Sequence, residues 1–431
     1  MIRIAPMGRV LAVAAAASLA LTACGGGEET AAPATSAPAT TAAAPATTAA
    51  AAGDGTLTIG SILPQTGDLA FLGPPEFAGV DLAVSEINAA GGVLGKPVTK
   101  IHADSGDAKT DIASQSVDKL LQQKADAIIG AASSGVSLTV IDKIVNAGVV
   151  QFSPANTSPE FTSYNDKGFY FRTAPSDVLQ GRVLGDLMIQ DGGENIAILN
   201  RQDSYGTGLA AEVKKSVEGG GGTIAGEVAY DPAAPDFSAD VAKIKEANPD
   251  AIALISFDET KKLIPELEKQ GLGPDKVKIY FVDGNLADYS ADFPEGLLEG
   301  VKGTLPGAAS EGKFKENLLK TNPDLRDFSY APESYDATIL IALAAEAGKD
   351  DSGTGISKNL VAVSKGGTKC TDYKACLDLL KAGTDIDYDG VSGPVEFSDA
   401  GDPSEATIGI YKYGKDNKYT NETYLAGKVD S

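Results

Sequence analysis

Very few side chains in this sequence are equipped for covalent or acid/base chemistry. Histidine occurs once, as His102, and tryptophan not at all. A Ser-His-Asp or Cys-His relay would have to run through that one imidazole, and neither an HExxH helix nor a paired-histidine metal site can be assembled. A carboxylate pair such as Asp258 and Asp283 could in principle do acid/base work, but nothing in the sequence looks like an activated nucleophile. Gly206-Thr207-Gly208 does not complete a dinucleotide fingerprint. These observations argue against an enzyme and predict no catalytic residue, cofactor or metal.

The three cysteines point elsewhere. Residues 1–23 carry Arg3 and Arg9, the apolar run Val10 to Leu21 and then small residues, the pattern of a secretory signal too short for a permanent span. Cys24 closes Leu21-Thr22-Ala23-Cys24, which resembles a bacterial lipobox, where the cysteine is acylated and becomes the first mature residue. The plain alternative is an ordinary signal with a chance cysteine. Residues 25–55 hold 13 Ala, 6 Thr and 3 Pro in 31 positions. They have no large apolar side chain to build a core, so 24–55 is expected to be a disordered tether reaching on the order of 30 Å. Lipid at Cys24 would hold the protein on the outer face of the cell membrane. In that oxidising compartment Cys370 and Cys376 are expected to pair as a disulfide. Six helical residues would hold their Cα atoms roughly 9 Å apart, past the limit of about 7 Å for a bridge, so Cys370 should lie in a loop before the helix that contains Cys376.

Without Arg3 and Arg9 the net charge moves from −23 to about −25. Such a surface repels phosphate backbones and anionic headgroups, which argues against nucleic acid and electrostatic membrane docking as partners. The remaining 375 residues, Leu57 to Ser431, exceed what one core usually serves and predict two lobes.

The elements that would position a site alternate between strand and helix. Predicted strands are Leu57 to Leu63, Val98 to Ala103, Ala127 to Gly130 and Val149 to Ser153, with helices Glu76 to Ala89, Thr110 to Lys124 and Ser134 to Asn146 between them. The rhythm restarts with helix Asp177 to Gln190, strand Asn195 to Asn200, helix Gly208 to Val217, strand Thr223 to Ala229, helix Phe237 to Ala247, strand Ala251 to Phe257, helix Thr260 to Gln270 and strand Lys278 to Val282. Serial βαβ units predict parallel sheets covered on both faces, with ligands at the carboxyl ends of the strands.

Five such ends carry polar groups. Ser133-Ser134-Gly135 opens a helix, where hydroxyl, free amides and dipole would stabilise a carboxylate, although simple capping has the same pattern. Ser153-Pro154-Ala155-Asn156-Thr157 adds polar backbone beside it, or is a solvated turn. Tyr205 follows the strand at Asn200 and is placed to close over a ligand. Asp283 ends the last strand where it suits an ammonium, yet Asp-Gly turns are commonplace. Phe257 with Asp258 and Glu259 offers an aromatic wall and a second acid.

Taken together, SPANTSPEF (Ser153 to Phe161), FRTAPSD (Phe171 to Asp177), DSYGTGLA (Asp203 to Ala210) and DFSADVAKIKEANPDAI (Asp236 to Ile252) resemble, in order and spacing, the leucine/isoleucine/valine-binding proteins. These are type I periplasmic binding proteins that serve ABC importers. The resemblance implies an α/β fold of two Rossmann-like lobes with parallel sheets joined by a three-segment hinge. Lobe 1 would comprise 56–174 and 307–388, and lobe 2 would comprise 175–306 and 389–431. It implies that Ser134, Ala155 and Thr157 hold the ligand's carboxylate and part of its ammonium, that Tyr205 closes from the second lobe, that Asp283 takes the acidic ammonium-binding position, and that Phe257 and Tyr335 sit at the wall and edge of the cleft. Two departures stand out: aspartate replaces the usual glutamate at 283, and Phe71-Leu72-Gly73 has leucine where an aromatic is usual.

The functional expectation is a monomeric, lipid-anchored, extracytoplasmic solute-binding protein that captures an amino acid, branched-chain or a related aliphatic, by hinge closure and delivers it to a permease. The alternatives are an amide, urea-like or aromatic carboxylate ligand in the same fold, or a ligand sensor that docks to a membrane receptor.

Overall fold

The computed structural model describes residues 53–429. The signal segment 1–23, Cys24 and the tether as far as residue 52 lie outside the described residues. No helix among the described residues is long and apolar enough to cross a membrane.

The first sheet is built from β1 (Thr58–Leu63), α1 (Gly73–Ala89), β2 (Thr99–Asp104), α2 (Ile112–Gln122), β3 (Ala127–Gly130), α3 (Ser134–Asn146), β4 (Val150–Ser153) and β5 (Tyr170–Arg172). Its strand order is β2-β1-β3-β4-β5, all parallel. Alternate residues of β1 face opposite ways: Ile59 and Leu63 join the core under α1, while Ile62 packs with Val117, Leu120 and Val140 of α2 and α3.

The second sheet follows with α4 (Asp177–Gln190), β6 (Asn195–Arg201), α5 (Ser204–Gly219), β7 (Thr223–Tyr230), α6 (Ser238–Glu246), β8 (Ala251–Ile255), α7 (Thr260–Gln270), β9 (Lys278–Phe281) and β10 (Lys302–Pro306). The chain then runs through α8 (Gly312–Thr321), α9 (Ala331–Gly348), α10 (Gly353–Val363), β11 (Thr368–Cys370), α11 (Tyr373–Lys381), β12 (Ile386–Tyr388) and the hairpin β13 (Glu405–Tyr413) with β14 (Tyr419–Lys428). The second sheet has the order β14-β13-β10-β9-β8-β6-β7, parallel from β7 to β10 and extended by the antiparallel hairpin. The parallel parts share one plan, since β7-β6-β8-β9-β10 repeats β2-β1-β3-β4-β5. Each therefore has its switch point beside its first strand, where α/β sheets collect ligands.

Helix α9 is buried all round from Ala331 through Ala345, polar Glu333, Ser334, Asp336 and Thr338 included. It returns the chain to the first core after β10, and β13 takes the chain back to the second, so three crossovers join the lobes.

Three expectations need correction. Helix α5 starts at Ser204, not Gly208: Asp203 caps it, its Oδ1 accepting from Gly206 N at 2.8 Å. The glycine at 206 serves close approach, since a Cβ there would meet Arg201 O at 2.1 Å. Residues 389–404, expected in the second lobe, stay with the first, because Phe397 packs edge-on against Phe152 and near Phe171, and Asp402 accepts from Arg172 Nε at 2.6 Å. Cys370 ends the short strand β11 rather than lying in a loop, and it bridges to Cys376 in α11 with the Cα atoms 5.3 Å apart.

Candidate functional site

The carboxyl ends of β3 and β4 are laced together by buried polar groups. Asn156 Nδ2 donates to Ala131 O (3.0 Å) and Ala132 O (2.8 Å), and Tyr170 OH donates to Asn156 Oδ1 at 3.0 Å. Ser153 Oγ donates to Ala131 O and accepts from the Ala155 and Asn156 amides. Arg172, fully buried, donates through Nη1 to Asn156 O and Ser158 O while its charge is met by Asp402. This scaffold fixes the start of α3. Ser133 is the cap, its Oγ accepting from Val136 N at 3.4 Å, and Ser134 is the first helical residue, its Oγ accepting from Ser158 N at 3.3 Å. The first amides of α3 point beyond the helix, where the dipole favours an anion. Gly130 makes the turn possible: φ is +116° and a Cβ would meet Ile62 O at 2.1 Å.

The second lobe supplies the opposite wall. Tyr205, in the first turn of α5, stacks on Phe257 with ring centroids 5.2 Å apart. The Arg201 guanidinium lies 3.5 Å from the Phe257 centroid and is neutralised by Asp203 and Glu259. Asp283 receives three hydrogen bonds: Tyr205 OH to Oδ1 at 2.6 Å, Gln180 Nε2 to Oδ1 at 3.0 Å and Tyr330 OH to Oδ2 at 2.7 Å. Burial pushes the Asp283 pKa up against these donors. Asp177, at the start of α4, is buried next to it and is pushed up further, by burial and by the charge on Asp283. Its carboxylate has the Thr157 hydroxyl beside it but no hydrogen bond of ordinary length. Three donors oppose the rise at Asp283, whereas the Asp177 carboxyl lacks such donors and is raised well above the usual carboxylate range.

Ser134, Ala155, Tyr205, Phe257 and Asp283 line one small cavity, together with Leu69, Leu72, Ala132, Ser133, Gly284 and Tyr330. Its volume is about 10 Å³, room for one water. The lobes meet beside it, with Ser204 Oγ donating to Ser158 Oγ at 2.9 Å. Two residues expected in the site are elsewhere. Thr157 lies behind the wall, facing Asp177. Tyr335 donates to Glu86 and packs edge-on against Phe314. The tyrosine that reaches the cavity is Tyr330, the residue that precedes α9 in a left-handed conformation (φ +59°), which turns its side chain away from the direction the helix gives Tyr335. The Tyr330-Ala331-Pro332 helix start is the one local signal that marks it; Gln180 has none, being an ordinary buried residue of α4. Asp258 is also displaced: it pairs with Lys261 at 2.8 Å, is half exposed, and forms no acid pair with Asp283.

The single histidine does enter a relay. Ser61 Oγ lies 2.6 Å from His102 Nδ1, and His102 Nε2 lies 2.7 Å from Asp81 Oδ1. Ser61 is only 1% exposed in the middle of β1, so its hydroxyl has no approach for a substrate. The relay ties β1 and β2 to α1. Although burial opposes it, hydrogen bonds from His102 and Lys100 hold the Asp81 carboxyl below the usual range. No group of His, Cys, Asp and Glu among the described residues is arranged to hold a metal ion.

Residues 56–416 match the periplasmic binding protein family model, and the chain belongs to that family. It is 28% identical over 374 residues to the Leu/Ile/Val-binding protein homolog 2 of Brucella abortus (strain 2308), covering 84% of this chain and 92% of that one. Among solved structures it is similar to the substrate-binding protein LivJ of Streptococcus pneumoniae in complex with isoleucine, with TM-score 0.70, 21% identity, and coverage of 87% of this chain and 100% of that one. It is also similar to an R. palustris solute-binding protein in complex with 4-hydroxybenzoate, with TM-score 0.70, 19% identity and coverage of 86% and 97%. The fold is that of the type I periplasmic binding proteins, and the relatives are solute-binding proteins, not enzymes.

Proposed function

We propose that this protein is a lipid-anchored, extracytoplasmic receptor of an ABC importer that captures an amino acid with an aliphatic side chain and presents it to a permease. The observation that carries the reading is the meeting of Ser134 and Asp283 across one cavity. The ligand carboxylate is met by the α3 amides and Ser134, and the ammonium by Asp283. A carboxylate offers about four acceptor positions, and Asp283 already uses three, so the ammonium takes the fourth or an intervening water. Leu69, Leu72 and Ala132 give the side chain an apolar wall. With room for one water in the shut cleft, entry requires the lobes to part, and the ligand then favours the closed form because only there does it touch both. The lobe division we propose is 56–174 with 307–404 against 175–306 with 405 onward. Delivery as a monomer and anchoring through Cys24 belong to the same reading.

Calorimetry against aliphatic, amide and aromatic amino acids tests it; a panel without heat or thermal shift removes the amino-acid assignment. A second reading, an aromatic carboxylate in the same cleft, is favoured by the Tyr205 and Phe257 stack, and retention of full affinity by Asp283→Asn would support it.

A further inference from the structure

A larger cavity, of about 320 Å³, lies on the other side of Tyr330, whose ring lines both spaces. That volume falls in the range of small-molecule sites, whereas the cleft itself has room for one water. Its walls come from both lobes: Tyr411 and Tyr424 from the β13–β14 hairpin, and Phe328 with Arg326 from the connection before α9. At its base Glu333, 2% exposed, packs on the β10 crossover, where a Cβ on Gly307 would meet Glu333 Oε1 at 2.1 Å.

The charges inside are unevenly committed. Asp288 is paired with Lys418 at 2.9 Å, and Asp327 accepts from Tyr419 OH at 3.0 Å. Burial pushes Glu333 up to about 8, so it carries a proton near neutral pH. Lys315 and Arg326, at the mouth, have no carboxylate partner among the described residues; Lys315 Nζ sits 4.5 Å from the Phe328 centroid, and Arg326 Nη1 donates only to the carbonyls of Pro323 and Leu325. In a chain with net charge −23, two unpaired cations over an aromatic chamber are a selective feature.

We infer that this hinge-side cavity is a second small-molecule site, for a planar aromatic carboxylate whose anionic end meets Lys315 and Arg326 and whose ring lies among Tyr411, Tyr424 and Phe328. The protonated Glu333 offers a donor to the ring's far substituent. Because the occupant touches both lobes and the crossover, it would bias hinge motion.

The test is calorimetric titration of the full chain with benzoate, and with cyclohexanecarboxylate as a non-aromatic control. Lys315→Glu/Arg326→Glu, both exposed positions, should weaken benzoate by about tenfold or more, with an unchanged circular dichroism spectrum. Ser134→Asp, which places a negative charge where the cleft would take a carboxylate, should leave benzoate affinity unchanged. No benzoate binding at concentrations on the order of 10 mM overturns the site, and equal affinity for the cyclohexane acid overturns its aromatic selectivity. Benzoate binding lost in the cleft variant and kept in Lys315→Glu/Arg326→Glu also overturns it and assigns benzoate to the cleft, so failure here is distinguishable from failure of the amino-acid reading.

Discussion

Replacing Asp283 by asparagine should move affinity and stability in opposite directions. The substitution removes the anion proposed to face the ligand ammonium and keeps the shape. Hydrogen bonds to charged groups are worth about 1.5–3 kcal/mol, so amino-acid affinity should fall by roughly 10- to 140-fold. The same carboxylate is a burden on the empty fold. It is fully buried beside Asp177, and its folded pKa is raised. A carboxylate whose folded pKa exceeds its unfolded one stabilises the fold only at low pH, and that contribution is lost as pH rises through the folded value. Near neutral pH the asparagine is free of that penalty. Its Oδ1 still accepts from Tyr205 and Gln180, and the Tyr330 hydroxyl can turn to accept from Nδ2. The midpoint of thermal unfolding should therefore hold or rise while calorimetry records the loss of affinity. Unchanged affinity would refute the ammonium contact. A fall in stability of more than about 2 kcal/mol, the cost of orphaning a buried partner, would refute the view that Asp283 serves the ligand rather than the fold.

Tyr330→Phe leaves Asp283 Oδ2 without its donor and should cost about 1–3 kcal/mol of stability by denaturant titration, together with ligand affinity. Tyr335→Phe loses only the bond to Glu86 and should leave affinity unchanged; equal effects of the two would contradict the assignment of Tyr330 to the cleft. Asp126 is raised to about 7 by burial, opposed by the Thr58 amide and reinforced by the charges of Asp351, Asp54 and Asp350. Its contribution is fully present below the unfolded pKa and is lost as pH rises toward 7, so Asp126→Asn should flatten the decline of the melting temperature between about pH 4 and 7 measured by scanning calorimetry. Cys370→Ser/Cys376→Ser should lower stability by about 2 kcal/mol with no change in affinity, since neither residue lines the cleft; altered ligand binding would count against a purely structural disulfide.

The parts legible in the sequence are those governed by local rules. Helices α3, α4 and α7 and strand β3 fall residue for residue where apolar periodicity places them, because their caps and stops lie within a few residues of the pattern. That Ser134, Tyr205 and Asp283 would gather at one cavity was legible because all three stand at the carboxyl ends of parallel strands. Tyr330 was not, because its direction is set by a left-handed backbone just before α9, a conformation that nothing in the type of a tyrosine announces. Nor was the role of Gln180, whose partner Asp283 is 103 positions away in the chain. Residues 389–404 were misplaced for the same kind of reason: the partners that hold them, Phe152, Phe171 and Arg172, are more than 200 positions away.

Composition and pattern alone confined imidazole chemistry to His102 and indicated two serial βαβ units, because one histidine cannot make a pair and periods of 2 and 3.6 are properties of the chain itself. Which side chains face one another was settled only by tertiary packing. The carboxylate of Asp283 gathers donors from α4, α5 and the start of α9, three segments whose meeting no local preference encodes.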